Sequence, residues 1–345
     1  MPILQIKGYP NPSRLLVGER LVDLARYIPV ENPILITDST VQKYYGNRFP
    51  KGSVIPIGTG ESVKTLKTVY DLYDRLIRLQ ADRSCFVVGI GGGIVCDVAG
   101  FTASTFLRGV RFGLVATTLL AQVDAAIGGK NGVNFSGYKN MVGTIRQPEF
   151  VLCDPLLLIT LPEKEVSCGL AEIVKHTAIA REPLLSFMEN HAHEILALDP
   201  PILEKLIYES VQIKASIVEA DEREAGERRK LNFGHTFGHA IETITGLPHG
   251  HAVSIGMVMA AEISVQEGSL TQTEVQRLIR LLQRLGLPVA IDLEKDRIFS
   301  VLGKDKKREG DGIHFVLLNR LGEARVERIS MEKLKRLMSE IHGKS

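Results

Sequence analysis

The sequence predicts an α/β fold in two parts, an N-terminal domain built on a parallel sheet and a largely helical domain after it. Three observations predict it. Through the first third of the chain, short apolar runs alternate with helical periodicity. From about residue 152 the periodicity turns helical. The length, 345 residues, suits about two domains of ordinary size.

The elements follow in order. PILIT (33–37) reads as a buried strand ending at Asp38, and SVIPIG (53–58) follows it. Between Ser62 and Gln80, Val63, Leu66, Val69, Leu72, Leu76 and Leu79 share one helical face. SCFVVG (84–89) is a second buried strand running into GIGGG; Gly92–Leu107 reads as a helix and Val110–Ala116 as a further strand. Strand, helix and strand in this order imply parallel pairing with right-handed crossovers. Later, LPEKEVSCGLAEIVKHTAIA, PPILEKLIYESVQIKASIVEADE, GHTFGHAIETI, AVSIGMVMAAEISVQE and TEVQRLIRLLQRLG carry helical periodicity, while FVLLN (315–319) and ARVERI (324–329) form a strand pair before a terminal helix. The domains are expected at 1–155 and 156–345, with a site in the cleft between them.

Composition excludes several classes. Hydrophobic residues at 44% and charged residues at 24% are ordinary for a globular chain. Forty-two Lys and Arg against 40 Asp and Glu leave +2, so no global field recruits nucleic acid or an acidic membrane. Any bound anion must be held by a local cluster of bases. No apolar run approaches the roughly 18–20 residues that cross a bilayer, and the opening MPILQIKGYPNPSR lacks an apolar signal core. Cys85, Cys96, Cys153 and Cys168 have no CxxC spacing, which suits free thiols in a reduced cytoplasm. The unusual count is 32 glycines, gathered largely in 89–93, 128–143 and 234–256.

Three constellations carry chemistry. Gly89-Ile90-Gly91-Gly92-Gly93 leaves a strand and opens a helix, where unpaired N–H groups and the helix dipole favour a phosphate. The full dinucleotide fingerprint is absent, since Ile94 or Cys96 stands where its last glycine belongs. Second, His235, His239, His249 and His251 fall within 17 residues among glycines; His235 and His239 share a helix face, and Glu172 is a candidate carboxylate for a metal. The Glu of hydrolytic zinc helices is missing between the histidines. Third, bases stand beside glycines: Arg108 and Arg111 around Gly109, Lys130 after Gly128-Gly129, and Lys139-Asn140 after Gly137. Lys175, Lys214, Arg228 and Lys306-Lys307 follow, a set suited to a phosphate plus a carboxylate. Lys130 stands out because its setting is apolar and glycine-rich.

Together these pieces resemble the 3-dehydroquinate synthase family of the sugar-phosphate cyclases. The matching blocks are GGGIVCDVAGFTASTFLRGVRF, TTLLAQVDAAIGGKNGVN, YKNMVG, LPEKEVSCGLAEIVKH, LNFGHTFGHAIE, HGHAVSIGMV and DKK, in the family's order over about residues 60–330. The resemblance implies a Rossmann-like NAD-binding domain, a mainly α-helical metal-binding domain and an active site in the interdomain cleft. It makes Glu172, His235 and His249 ligands of a divalent metal, Zn2+ or Co2+. It places NAD+ against Asp38, Glu61, Lys64, Gly92, Gly93, Asp97, Thr117, Thr118, Lys139 and Thr160. It assigns the substrate to Arg108, Asp124, Lys130, Asn140, Lys175, Lys214, Arg228, Asn232, His239 and one of Lys306 and Lys307. The chain departs from the family pattern at Cys96 and His251, which stand for Gly and Glu, and at GYKN (137–140), which stands for LGKN and sets Tyr138 before Lys139.

The implied reaction converts 3-deoxy-D-arabino-heptulosonate 7-phosphate to 3-dehydroquinate and phosphate, a step of the shikimate pathway to aromatic amino acids. It runs through transient oxidation, phosphate elimination, reduction, ring opening and aldol closure. A cytoplasmic homodimer without nucleic-acid or membrane partners is implied as well. The competing readings are a 2-deoxy-scyllo-inosose or 2-epi-5-epi-valiolone synthase, a metal-dependent polyol or glycerol-phosphate dehydrogenase, and a catalytically dead NAD- or metal-binding regulator.

Overall fold

A computed structural model describes residues 3–7, 12–222, 224, 226–302, 308–309 and 312–341. The chain divides into two compact units, Met1–Pro162 and Glu163–Ser345.

The first unit holds strands β1 (Leu4–Ile6), β2 (Ser13–Val17), β3 (Ile34–Asp38) and β4 (Ser53–Ile57). After them come β5 (Phe86–Gly91), β6 (Arg111–Ala116), β7 (Lys130–Phe135), β8 (Tyr138–Ile145) and β9 (Phe150–Cys153). Its helices are α1 (Ser39–Tyr45), α2 (Leu66–Arg78) and α3 (Gly93–Thr105). Seven strands form one sheet in the order β1-β2-β9-β6-β5-β3-β4. Only β1 runs antiparallel to its neighbour. The chain steps from β3 out to β4, then crosses back to β5 and onward to β6. The order therefore reverses between β3 and β5, and the crevice outside their carboxyl ends is where parallel α/β sheets take ligands. Every residue of β5 is buried, as expected of a strand covered on both faces. Phe86, Val88 and Ile90 join Leu35, Val115, Phe150 and Leu152 in the core.

Helix α2 starts behind the side-chain cap of Thr65 and buries Val69, Leu72 and Leu76. Val63 and Leu79 lie beyond its ends, and Leu66 is exposed in its first turn, so the predicted stripe is trimmed to its middle. Strand β5 runs two residues past its predicted end, because Gly89 and Gly91 let α3 lie directly on it. A Cβ at Gly89 would stand 2.8 Å from that of Ala99, and one at Gly91 2.5 Å from that of Val95. Helix α3 stops at Thr105, short of the predicted Leu107, because Leu107, Arg108 and Gly109 all have positive φ (50°, 67° and 113°).

The second glycine-rich stretch forms an antiparallel hairpin, β7–β8, absent from the sequence reading. Its two-residue loop, Ser136-Gly137, has φ of 49° and 79°, the left-handed pair that suits the twist of paired strands. Asn131 closes the open end: its Nδ2 donates to the carbonyls of Gly129 (2.8 Å) and Arg146 (2.9 Å). The hairpin packs on α3 at Gly100, where a Cβ would stand 1.9 Å from Asn131 Oδ1.

The second unit holds α4 (Glu163–Ala180), α5 (Glu182–Asn190), α6 (Ala192–Leu196), α7 (Pro200–Ala220) and α8 (His235–Thr245). It continues with α9 (His249–Gln266), α10 (Gln272–Arg284), α11 (Lys295–Leu302) and α12 (Met331–Glu340). Strands β10 (Arg308–Glu309), β11 (Gly312–Arg320) and β12 (Glu323–Ser330) add an antiparallel sheet, one short strand more than the expected pair. Helix α9 is buried on nearly every side and packs on α4, α8, α10 and β11. Two glycines permit this. A Cβ at Gly250 would stand 2.4 Å from Cys168 Cα on α4, and one at Gly256 2.1 Å from the Gly234 carbonyl that leads into α8. No helix among the described residues is long and apolar enough to cross a membrane.

Candidate active site

In the first unit the site is made mostly of main chain. Gly92 begins α3 without a side-chain cap, so the N–H groups of the first turn face outward from the end of β5. The glycines here are required by the protein itself: a Cβ at Gly92 would stand 2.9 Å from Thr118 Cγ2, and one at Gly93 3.0 Å from Ala125 Cβ. Thr117 donates its N–H to the Gly91 carbonyl (2.9 Å), binding the ends of β5 and β6 together. Thr118 Oγ1 accepts from Ala121 N–H (3.1 Å) at the head of a π-helical turn, Ala121–Ala125, that carries Asp124. Gln122, buried in that turn, donates to the carbonyls of Ala116 (3.1 Å) and Asp154 (2.9 Å), fixing it to the ends of β6 and β9. Cys96, the departure from the family's glycine, is buried with its thiol on the Gly91 carbonyl (3.6 Å). Burial holds that thiol protonated, with Asp97 adding to the effect.

Glu61, Lys64, Asp97 and Asn140 come together beside this turn. Lys64, buried, forms an ion pair with Asp97 and donates to Asn140 Oδ1 (2.5 Å). Asn134 donates to Glu61 Oε1 (2.7 Å) and accepts from Asn140 N–H (2.9 Å). Among the described residues, Asp38, Arg108 and Thr160 stand apart from this network. Asp38 Oδ1 caps α1, accepting from Thr40 and Val41 N–H (2.8 and 2.9 Å). Thr160 shares a hydrogen bond with Tyr45 (2.7 Å). Arg108 lies exposed on the left-handed turn, and Lys130 and Lys139 are exposed on the hairpin. The apolar setting read around Lys130 is therefore that of its neighbours, since the side chain itself faces solvent.

In the second unit the site is made of side chains. Glu172 lies on α4 with no exposed surface, and neither carboxylate oxygen meets a donor in hydrogen-bond geometry. His235 Nε2 stands 3.6 Å and His249 Nε2 3.5 Å from Oε1, and Lys175 Nζ lies against Oε2. Each histidine is held from behind. His235 Nδ1 faces the Phe233 carbonyl (3.2 Å) and His249 Nδ1 faces Glu242 Oε2 (3.1 Å). Both partners accept, so both Nδ1 atoms carry hydrogen, which turns Nε2 of each ring toward Glu172. One atom from each of Glu172, His235 and His249 lies within 4.8 Å of the others. Two imidazole nitrogens and a buried carboxylate are the donor set of a zinc-like divalent cation. The fit is to a metal rather than to a packed core.

The electrostatics agree. Burial pushes the Glu172 carboxyl up, but Lys175, then His235 and His249, hold it well below the usual carboxylate range. Burial holds His235 well below its usual value. Burial also opposes the charged form of His249, yet Glu172 and Glu242 on its two sides raise it to about 9. His239 completes the cluster, its ring centroid 5.2 Å from that of His235 and 5.9 Å from that of His249. His251 is engaged elsewhere, its Nε2 on the Ser167 hydroxyl (2.8 Å), and His176 meets Ser210 through Nδ1 (2.8 Å). Arg228 and Asn232 sit on a short helical turn tied to the acidic loop before it. Arg228 donates to the Glu222 carbonyl (2.7 Å) and Asn232 to Glu224 Oε1 (2.6 Å). Lys214 is buried on α7. Lys306 and Lys307 lie outside the described residues.

Sequence reasoning missed Asn134, Gln122, Glu242 and Ser167. A helical signal existed for Glu242, which with His235 and His239 follows the i, i+4, i+7 spacing of one face.

The family model for the 3-dehydroquinate synthase N-terminal region matches residues 54–168, and that for the C-terminal region matches residues 169–308. The 3-dehydroquinate synthase of Halorhodospira halophila is 42% identical over 329 residues, covering 92% of each chain. Among solved structures, 2-epi-5-epi-valiolone synthase from Streptomyces hygroscopicus subsp. jinggangensis, with NAD+ and Zn2+ bound, superposes with a TM-score of 0.88 at 26% identity over 98% of each chain. A 2-deoxy-scyllo-inosose synthase complexed with carbaglucose-6-phosphate, NAD+ and Co2+ gives 0.87 at 29% identity, covering 98% of this chain and 100% of that one.

Proposed function

This chain belongs to the 3-dehydroquinate synthase family, and from that premise we propose that it converts 3-deoxy-D-arabino-heptulosonate 7-phosphate to 3-dehydroquinate and phosphate. The observation that carries the reading is the Glu172, His235 and His249 cluster, a metal-ready donor set in a chain whose relatives bear that name. Glu172, His235 and His249 would hold the divalent cation, Zn2+ or Co2+. Asp38, Glu61, Lys64, Gly92, Gly93, Asp97, Thr117, Thr118, Lys139 and Thr160 would hold NAD+. When bound, the dinucleotide supplies a reversible hydride acceptor and the cation supplies Lewis acidity.

The chain's own residues do the rest. The bare N–H groups at the start of α3 receive a pyrophosphate. Arg108, Lys130, Asn140, Arg228 and Lys306 or Lys307 cradle the substrate phosphate, and cations fixed in advance stabilise the dianion as it leaves. Lys175, Lys214 and Asn232 bind hydroxyls and carboxylate. Lys175 also keeps Glu172 ionised, because the two are buried against each other. The Asp124 carboxylate and the His239 imidazole move protons. Glu242 fixes the proton of His249 on Nδ1 and so aims Nε2.

We also propose a homodimer in the cytoplasm. Exposed Phe135, Tyr138, Met141 and Ile145 on the hairpin support the first, and four free cysteines the second.

The test is phosphate release from the heptulosonate phosphate with catalytic NAD+. Stoichiometric phosphate and 3-dehydroquinate without net absorbance of reduced nicotinamide is the expected result. Accumulating NADH would mark a dehydrogenase. Turnover only of sugar phosphates lacking a carboxylate would mark one of the other cyclases.

A further inference from the structure

We propose that Asn134 is a positioning residue that couples NAD+ binding to phosphate binding within the first unit. The inference rests on the reading of Glu61 and Lys64 as dinucleotide contacts and of Asn140 as a phosphate contact. It begins with the hairpin register. Val133 pairs with Val142 and Phe135 with Tyr138, so a single residue on β7, Asn134, stands opposite three on β8: Lys139, Asn140 and Met141. The surplus chain bulges, and Asn140 takes a left-handed φ of 51° within it. Bulges of this kind re-aim side chains and concentrate beside active sites.

Asn134 holds the bulge in shape and fastens it to the neighbouring segment. Its Oδ1 accepts from Asn140 N–H (2.9 Å), its Nδ2 donates to Glu61 Oε1 (2.7 Å), and its main-chain N–H donates to the Lys64 carbonyl (2.8 Å). A further bridge joins it to Thr65. Lys64 closes the circuit by donating to Asn140 Oδ1. A carboxamide is the side-chain group that offers a donor to Glu61 and an acceptor to Asn140 from one carbon. When NAD+ orders Glu61 and Lys64, the strained Asn140 is ordered with them, and a phosphate then finds its contact already in place. Binding free energies couple reciprocally, so phosphate tightens NAD+ by the same factor.

The experiment measures the dissociation constant of inorganic phosphate by calorimetry, with and without saturating NAD+. The proteins are the metal-loaded wild type and the variants Asn134→Ala, Asn134→Asp, Glu61→Gln and Asn140→Ala. In the wild type, NAD+ should tighten phosphate about fivefold or more, within the usual range of such couplings. In Asn134→Ala the ratio should fall to within about twofold of unity. Asn134→Asp keeps the acceptor for Asn140 but sets a second carboxylate against Glu61. It should keep phosphate affinity in the absence of NAD+ and lose the coupling. A merely structural role would lower the melting temperature and weaken both ligands without changing the ratio, and that result overturns the proposal. So does a ratio of one in the wild type, or an undiminished ratio in both Asn134 variants. If Glu61→Gln leaves NAD+ affinity unchanged and Asn140→Ala leaves phosphate affinity unchanged, the assignment of those two residues falls, and the coupling with it.

Discussion

The turn after β5 and the histidine cluster of the second unit are prepared for their ligands by opposite means. The turn is prepared by subtraction: four glycines without side chains, and a helix start without a cap. The cluster is prepared by addition: a buried carboxylate, a buried lysine and three imidazoles, two of them oriented from behind by acceptors. A site made of backbone is shaped by what packs around it, so it responds to volume. A site made of side chains responds to charge and protonation. Substitutions should therefore fail differently in the two places.

Glu172→Gln is the severest break. It removes the anionic ligand and takes from the buried Lys175 the carboxylate it lies against. Phosphate release should fall by about 10³-fold or more and bound metal should be lost, while NAD+ affinity measured by fluorescence stays near wild type. An equal loss of NAD+ binding would erase the distinction between the sites. Glu242→Gln is milder: the imidazole of His249 loses its charged acceptor, and metal affinity by competition with a chelator should weaken about 10- to 100-fold. Gly92→Ala tests the other site. Its methyl would stand 2.9 Å from Thr118 Cγ2, and displacing the first turn of α3 should weaken NAD+ about tenfold with metal content unchanged.

The last test is pH. In the metal-free protein His249 is raised to about 9, and a cation at Nε2 must displace that proton. Metal affinity should therefore rise with pH by at most about tenfold per unit up to pH 9 and then level off, as read by cobalt titration. The sign for the metal-free fold is opposite. Stability from protonated His249 is complete below the unfolded value near 6.5 and is lost as pH rises through about 9. A metal affinity that is flat across this range would show that His249 is not a ligand.

How much of this was legible in the sequence depended on the range of the interaction. Strands β3, β5 and β6 and helices α7, α8 and α10 were readable because burial imposes a local period on residues such as Leu35, Val88 and Leu278. The β7–β8 hairpin was not. Most of β8 faces solvent, and Gly132 and Gly143 sit back to back where a period-two pattern needs side chains. The insertion of β9 between β2 and β6 has no local signature at all, since its partners are distant in sequence. The same division runs through the site. Glycines and histidines announce themselves by residue type. Asn134 reaches back to Glu61 and Ser167 forward to His251, and no composition or spacing marks hydrogen bonds between residues so far apart along the chain.

The place of β9 also governs how the first unit comes to be. It is the last strand of that sheet to be synthesised, yet it lies between β2 and β6, with Arg14 paired to Phe150. A nascent chain that has reached only β6 has made six of the sheet's seven strands and still exposes two unpaired edges where β9 belongs. Closing that gap spans most of the unit's length, which makes it a high-contact-order and therefore slow event. Until residue 153 is available, the open edges are the segments most exposed to pairing with another chain. The seam beside β9 is thus both the latest contact of the sheet and the one on which its solubility during synthesis turns.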